Sequence, residues 1–334
     1  MQTYIVLIAC VVLLLCLFFR VPVYISVFAA ALTYFLFQTG SSPAIIAQRI
    51  GGGIQSIPLL AIPFFICAGI FMNSSGVTKR IMNFCNVVTK RMTGGLGQVN
   101  VLLSTLMGGL SGSNLADAAM EAKILVPEME EKGYSKEFSS VLTATSAMIT
   151  PLIPPGIGMI LYGSIANVSI GKLFVAGIGI GVLLCISLMI MVHFISKKRG
   201  YQPATKEKQD PEEVKSAVKQ AILPLCLPIL IIGGIRIGIV TPTEAGTVAI
   251  VYALILGIIY KELKMSDVVD GLKESVATTA SIMMIVGGAS AFAWVLTKER
   301  IPQQLTEVIT SNISNKYVFL IIVILFLLVV GMFI

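Results

Sequence analysis

Two stretches of the chain hold the residues best suited to chemistry. Residues 108–117 read Gly-Gly-Leu-Ser-Gly-Ser-Asn-Leu-Ala-Asp and follow directly on an apolar segment. Hydroxyl and carbonyl oxygens at such a break can replace the hydration shell of a hard cation such as sodium. The amides freed at the start of the following half-helix can meet a carboxylate. Asn114 and Asp117 are costly at membrane depth without a purpose, and the alternative reading is a small-residue helix-packing face. Residues 145–158 read Thr-Ser-Ala-Met-Ile-Thr-Pro-Leu-Ile-Pro-Pro-Gly-Ile-Gly, near the centre of an uncharged span. Three prolines and two glycines prevent a regular helix there, which leaves carbonyls from about Ala147 to Ile153 as candidate cation ligands, or else makes a plain proline kink. A third motif, Thr241-Pro242-Thr243-Glu244, reads first as a helix start, with Thr241 as cap, Pro242 in the first turn and Glu244 favoured by the helix dipole.

The segments that must position these residues are apolar enough to lie in a bilayer. Hydrophobic residues make up 56% of the 334 and charged residues 12%, about half the charged share of a soluble domain. Uncharged stretches such as 50–78, 138–171, 173–196 and 276–297 reach or exceed the ~20 residues that a transmembrane helix needs. In lipid such stretches must be helical, because every backbone group has to be satisfied within the segment.

Basic residues fall in the short loops between these spans, with no aromatic-basic interleaving, which speaks against nucleic acid as a partner. If 92–122 enters and returns on one side as a hairpin, 18 of the 24 Lys and Arg lie on the side of Lys197-Lys198-Arg199 and 6 on the other. The richer side is then cytoplasmic, and Arg49 and Lys298 fall outside. Gly109-Leu110-Ser111-Gly112 matches the GxSG pattern of intramembrane serine proteases, but the single histidine, His193, stands beside the basic border Lys197–Arg199. A serine near mid-depth is out of its reach. No phosphate-binding loop occurs, and the six cysteines have no metal-ligand spacing. No enzyme and no organic cofactor are expected.

Shifted by 220 residues, the chain shows a weak self-similarity, with Pro22 over Pro242 and Thr78-Lys79 matched by Thr297-Lys298 at nearly the same place. Loop charges give the two copies opposite orientations, an inverted repeat. The expected organisation is a first repeat over 1–196, with a re-entrant hairpin at 97–125 and a broken helix at 138–170. A cytoplasmic linker follows at 197–219, then a second repeat at 220–334. That second repeat stops where the first has its hairpin tip, so a truncated or partial chain is expected. Residues 79–91 are amphipathic and are expected to lie along the cytoplasmic membrane surface.

The motifs GGLSGSNLADAAM at 108–120, TPLIPPGIGMILYG at 150–163 and TPTEAGTVAIVYALILG at 241–257 resemble the large membrane subunit of the tripartite ATP-independent periplasmic (TRAP) transporters, over essentially the whole chain. The resemblance implies an all-α integral membrane protein of the bacterial inner membrane. It implies an inverted-repeat, elevator-type secondary transporter with re-entrant hairpins and broken helices, driven by sodium as coupling ion. It places one sodium site at Ser111, Ser113 and the backbone oxygens of Thr150, Ile153 and Pro155, and substrate at Gly112, Asn114, Gly156 and Gly158. The partners implied are a small four-helix membrane subunit and a periplasmic binding protein that delivers an organic acid, such as a C4-dicarboxylate, sialic acid or a sugar acid. Family members continue into a second hairpin and broken helix that supply another sodium site and half the substrate cavity, and these are expected to be missing beyond Gly331. A sodium/carboxylate symporter without a binding protein and a non-transporting scaffold are the competing readings.

Overall fold

The computed structural model describes residues 2–38, 42, 44–203, 210–312 and 315–332, and every regular element among them is helical. In chain order the α-helices are α1 (Gln2–Phe18), α2 (Val23–Phe37), α3 (Ala44–Ile54), α4 (Ala61–Ser74), α5 (Val77–Thr89), α6 (Gly95–Ser111), α7 (Asn114–Glu131) and α8 (Lys136–Ser146). They continue as α9 (Ile157–Ile165), α10 (Ile170–Arg199), α11 (Pro211–Arg236), α12 (Pro242–Tyr260), α13 (Met265–Lys298), α14 (Ile301–Asn312) and α15 (Lys316–Gly331). Two 3-10 turns, Ile57–Leu60 and Ala147–Leu152, precede α4 and follow α8.

Five spans are long and apolar enough to cross a membrane: Ile57–Ser74, α10, α11, α12 and α13. A sixth is made by α8, its 3-10 turn and α9, bent by 46° at the break. The chain is therefore an all-α, multi-pass membrane protein.

The described chain forms two compact units, Met1–Ser56 with Ala280–Ile334, and Ile57–Thr279. These boundaries cut across both sequence repeats. In the first unit α1 packs along α2, with Val6, Ala9, Tyr34 and Val295 fully enclosed. The Tyr34 hydroxyl donates to Glu299, and Phe35 stacks on Trp294.

In the second unit α4 lies against α12, and α5 is held between α6 and α11. Ile81 and Cys85 of α5 are completely buried. Protein thus covers part of the apolar face of the amphipathic stretch at 79–91. Its polar face pairs Arg80 with Glu262 at 2.9 Å, while the guanidinium sits 3.6 Å from the centre of the Tyr260 ring.

The polar stretch 197–219 is largely helical at both ends rather than a linker throughout. Lys197, Lys198 and Arg199 close α10, where Gly200 takes the left-handed conformation at φ +76°. At the other end Asp210 caps α11 and Pro211 opens it, an arrangement suited to a missing N–H and a fixed φ. Residues 204–209 lie outside the described residues.

Helices recur at the 220-residue shift. α2, α5 and α6 have counterparts in α12, α14 and α15, whereas α3 and α4 both fall on the continuous α13. The position 220 residues after Pro58 is not a proline, which accounts for the difference.

At α12 the capping reading of the third motif holds. The Thr241 hydroxyl accepts the Glu244 amide at 3.3 Å, and the Glu244 carboxylate accepts the Thr241 amide at 2.7 Å. Thr241→Ala should therefore cost about 1 kcal/mol and lower the unfolding temperature in detergent, with Thr241→Ser close to wild type; equal melting of all three would contradict the cap.

Candidate functional site

The first motif folds as a hairpin that turns at Gly112 and Ser113. α6 ends at Ser111, Gly112 turns the chain at φ +62°, and Ser113 is extended and caps α7 by accepting the Ala116 amide at 3.4 Å. The second motif folds as a broken helix. α8 tightens into the 3-10 turn Ala147–Leu152, residues 153–156 are irregular, and α9 begins after Gly156. The 3-10 turn pairs part of the backbone expected to be loose, since the Thr150 carbonyl accepts the Ile153 amide at 3.3 Å. A carbonyl oxygen has a second lone pair, so the group can still bind a cation.

The two breaks meet, and glycines let them do so. A Cβ on Gly112 would stand 2.6 Å from the Pro155 carbonyl oxygen, and one on Gly108 would stand 2.8 Å from that of Thr150. On the far side, Gly69 of α4 brings its backbone against Ser111 in the same way. The Pro155 and Thr150 carbonyls thus lie against the hairpin where any side chain would push them away.

A buried carboxylate ties the two breaks. Asp117, in the first turn of α7, is completely buried, and its Oδ2 accepts the Ser111 hydroxyl at 2.6 Å and the Thr150 hydroxyl at 3.1 Å. Its Oδ1 is buried with no hydrogen-bond partner. One turn on, Glu121 is equally buried, with Oε2 accepting the Ser104 hydroxyl at 2.6 Å and Oε1 unpartnered. Deeper in the same seam, the Asn100 amide donates to Thr143 at 2.7 Å and the Ser146 hydroxyl donates to Asn100 at 2.6 Å. The α6 arm and the broken helix are fastened into one block.

The magnitudes single out Asp117. Burying an ionised carboxylate carries an effective penalty of several kcal/mol, and hydrogen bonds to a charged group return about 1.5–3 kcal/mol each. Two hydroxyls therefore go most of the way toward balancing Asp117, and an oxygen remains to be matched. The chemistry of this donor set is all oxygen: a carboxylate, two hydroxyls and several carbonyls. Such a set suits a hard cation.

Of the residues expected at a sodium site, Ser111 and Thr150 share one partner, and Pro155 lies against the turn. The Ser113 hydroxyl is taken up in the cap, and its amide donates to the Ser111 oxygen at 3.4 Å. Ile153 sends its side chain toward Gly181 of α10. Among the residues expected to touch substrate, Gly112 and Gly156 are buried, while Asn114 and Gly158 are exposed. Asp117 and Glu121 were absent from the expected site. Their spacing of four on one helix puts both carboxylates on one face, and that is the signal that could have found them.

A family model described as the DctM component of the tripartite ATP-independent periplasmic transporters matches residues 10–334. The chain belongs to that family of TRAP transporter large permeases. It is 41% identical over 319 residues to the sialic acid TRAP transporter large permease protein SiaM of Vibrio cholerae, a match covering 95% of this chain and 74% of that protein. It is 38% identical to the sialic acid TRAP transporter permease protein SiaT of Haemophilus influenzae, over 98% of this chain and 53% of that one. With the 2,3-diketo-L-gulonate TRAP transporter large permease protein YiaN of Escherichia coli it shares 36% identity, over 86% of this chain and 68% of YiaN. The chain thus spans about half the length of SiaT and roughly two thirds to three quarters of the other two. Within a permease family, the serine of the GxSG pattern has its hydroxyl on Asp117, and His193 is an exposed residue near the end of α10.

Replacing Gly112 with valine, which adds bulk against the Pro155 carbonyl and strains a positive φ, should reduce uptake at least tenfold, equivalent to about 1.4 kcal/mol, without loss of the protein from the membrane. Gly179→Ala, where a Cβ meets nothing within 4 Å, is the matched control. Normal uptake by Gly112→Val would show that the two breaks need not touch.

Proposed function

We propose that this chain is the substrate-translocating subunit of a sodium-coupled TRAP transporter in the bacterial inner membrane. It imports a small organic acid handed over by a periplasmic binding protein, and it works beside a small four-helix membrane subunit. The observation that carries the reading is Asp117, buried, bonded to the hydroxyls of both broken segments and left with one unpartnered oxygen.

Sodium, as the ion carried, suits this donor set. Asp117 supplies the negative charge, and through Oδ2 it fixes the rotamers of Ser111 and Thr150. Pre-set ligands lower the ordering cost of binding. Removal of sodium leaves a buried carboxylate less well matched, which disfavours movement of an empty site across the bilayer. That asymmetry is what coupling requires.

An anionic substrate is supported by the two helix starts that flank the site. α9 begins at Gly156 with no side-chain cap, and Gly158 in its first turn has open space where a side chain would stand. Amides at an uncapped helix start are suited to a carboxylate. Sialic acid and 2,3-diketo-L-gulonate, named for the relatives, are both sugar acids. An elevator movement is supported by the seam Asn100–Thr143–Ser146 with Asp117, which binds hairpin and broken helix into one body.

Reconstitution in liposomes with an inward sodium gradient, the partner subunit and the binding protein tests the reading. Ser111→Ala should raise the sodium concentration for half-maximal uptake about fivefold, corresponding to ~1 kcal/mol, and Asp117→Asn should raise it more. Unchanged sodium dependence in both variants would refute the ion site, and uptake without any binding protein would favour a stand-alone symporter.

A further inference from the structure

Glu121 is a buried carboxyl that the sodium site leaves unused. It stands one turn beyond Asp117 on α7, fully enclosed, with Oε1 unpartnered and Oε2 2.6 Å from the Ser104 hydroxyl. The elements packed around it offer nothing to balance a charge. Neither α6 nor the 3-10 turn Ala147–Leu152 contains a titratable residue, and Lys136 and Glu137 are exposed at the start of α8. From α5 the buried Cys85 thiol comes near it, while Lys79 and Arg80 lie at the start of that helix and Arg80 is taken by Glu262. On α7 itself Lys123 is exposed, and Asp117 adds a like charge. Among the described residues no ion pair includes Glu121.

A count of hydrogens decides its state. Ser104 lies 3.1 Å from the Asn100 carbonyl oxygen as well as 2.6 Å from Glu121, and a hydroxyl has one hydrogen to give to two acceptors. An ionised Glu121 has to take that hydrogen, and its whole charge then rests on one donor. A single hydrogen bond does not offset the burial of a charge, and like charges four residues apart on a helix repel. A protonated Glu121 supplies the hydrogen of the short contact itself, and Ser104 gives its own to Asn100. Every hydrogen then has an acceptor. Asp117 differs, because the Ser111 hydroxyl donates to it and accepts the Ser113 amide. That hydrogen is committed to the carboxylate.

We propose that Glu121 is a proton-binding site, a neutral carboxylic acid that donates to Ser104 and leaves Asp117 as the single charge buried between hairpin and broken helix. A buried carboxyl without a cation or enough donors takes up a proton. The oxygens around Glu121, its own two and that of Ser104, are too few to enclose a metal ion in its place. The consequence for transport, which rests on the sodium-coupled reading above, is that one cation at Asp117 neutralises the block, whereas an ionised Glu121 would demand a second.

Infrared spectroscopy reads the proton directly, because a protonated carboxyl has a C=O stretching band that carboxylates lack, and exposed carboxyls are ionised at neutral pH. Wild-type protein in an ester-free detergent, at neutral pH with saturating sodium, should show that band. Glu121→Gln should lose it and Asp117→Asn should keep it. Ser104→Ala removes the acceptor and should shift the band to higher frequency, which assigns it even where Glu121→Gln does not fold. No band in the wild type, or a band that Ser104→Ala leaves unmoved, overturns the proposal. The spectrum asks nothing of transport, so its result stands whether or not liposomes show uptake. Binding of radioactive sodium tests the consequence: folded Glu121→Gln should bind the ion about as tightly as wild type, and lost binding would show that a Glu121 charge holds the ion and overturn its neutrality.

Discussion

A carboxylate removed from water must be matched, and the second unit of this protein is organised around matching Asp117. The match is made from two directions. Ser111 reaches it from the end of α6 and Thr150 from the 3-10 turn after α8, so the charge lies where two interrupted helices meet. Without the carboxylate, the two hydroxyls have no common partner; without the breaks, the hydroxyls cannot converge. The remaining oxygen, Oδ1, is the opening through which a cation enters the account.

That arrangement has steep requirements elsewhere in the chain. Carbonyls can face one another across a packed interior only where no side chain intervenes, and Gly69, Gly108 and Gly112 stand at those contacts. Glycine within α4 and α6 weakens those helices by roughly 1 kcal/mol relative to alanine. The loss is offset by packing of α4 on α12 and of α5 on α6 and α11, where Phe71, Met72, Ile81 and Met107 are fully enclosed. Glu121 is the less well matched carboxylate of the seam, with a single hydroxyl partner in Ser104.

Much of this was legible in the sequence, and for definite reasons. The Gly112-Ser113 pair and three prolines within five residues, Pro151, Pro154 and Pro155, strongly disfavour a regular helix, so both breaks could be placed from residue type alone. Thr241 and Glu244 announce a helix start through spacing within one turn. What escaped depends on register between segments distant in sequence. That the Thr150 hydroxyl, beyond its carbonyl, belongs to the site follows from the contact of Gly108 with the 3-10 turn, which no local rule supplies. Asp117 was visible as a costly residue but not as the partner of both breaks, and Glu121 was passed over although it repeats Asp117 one turn on. In the polar run 197–219 the density of charge masks the helix start at Asp210-Pro211.

Direct sodium binding decides the central claim. Purified protein should bind radioactive sodium saturably in the absence of substrate and of any gradient, and Asp117→Asn, which keeps the shape and one acceptor but removes the charge, should abolish that binding while melting normally. Saturable binding of equal strength in wild type and variant, or none in the wild type, would contradict an ion site built on this carboxylate.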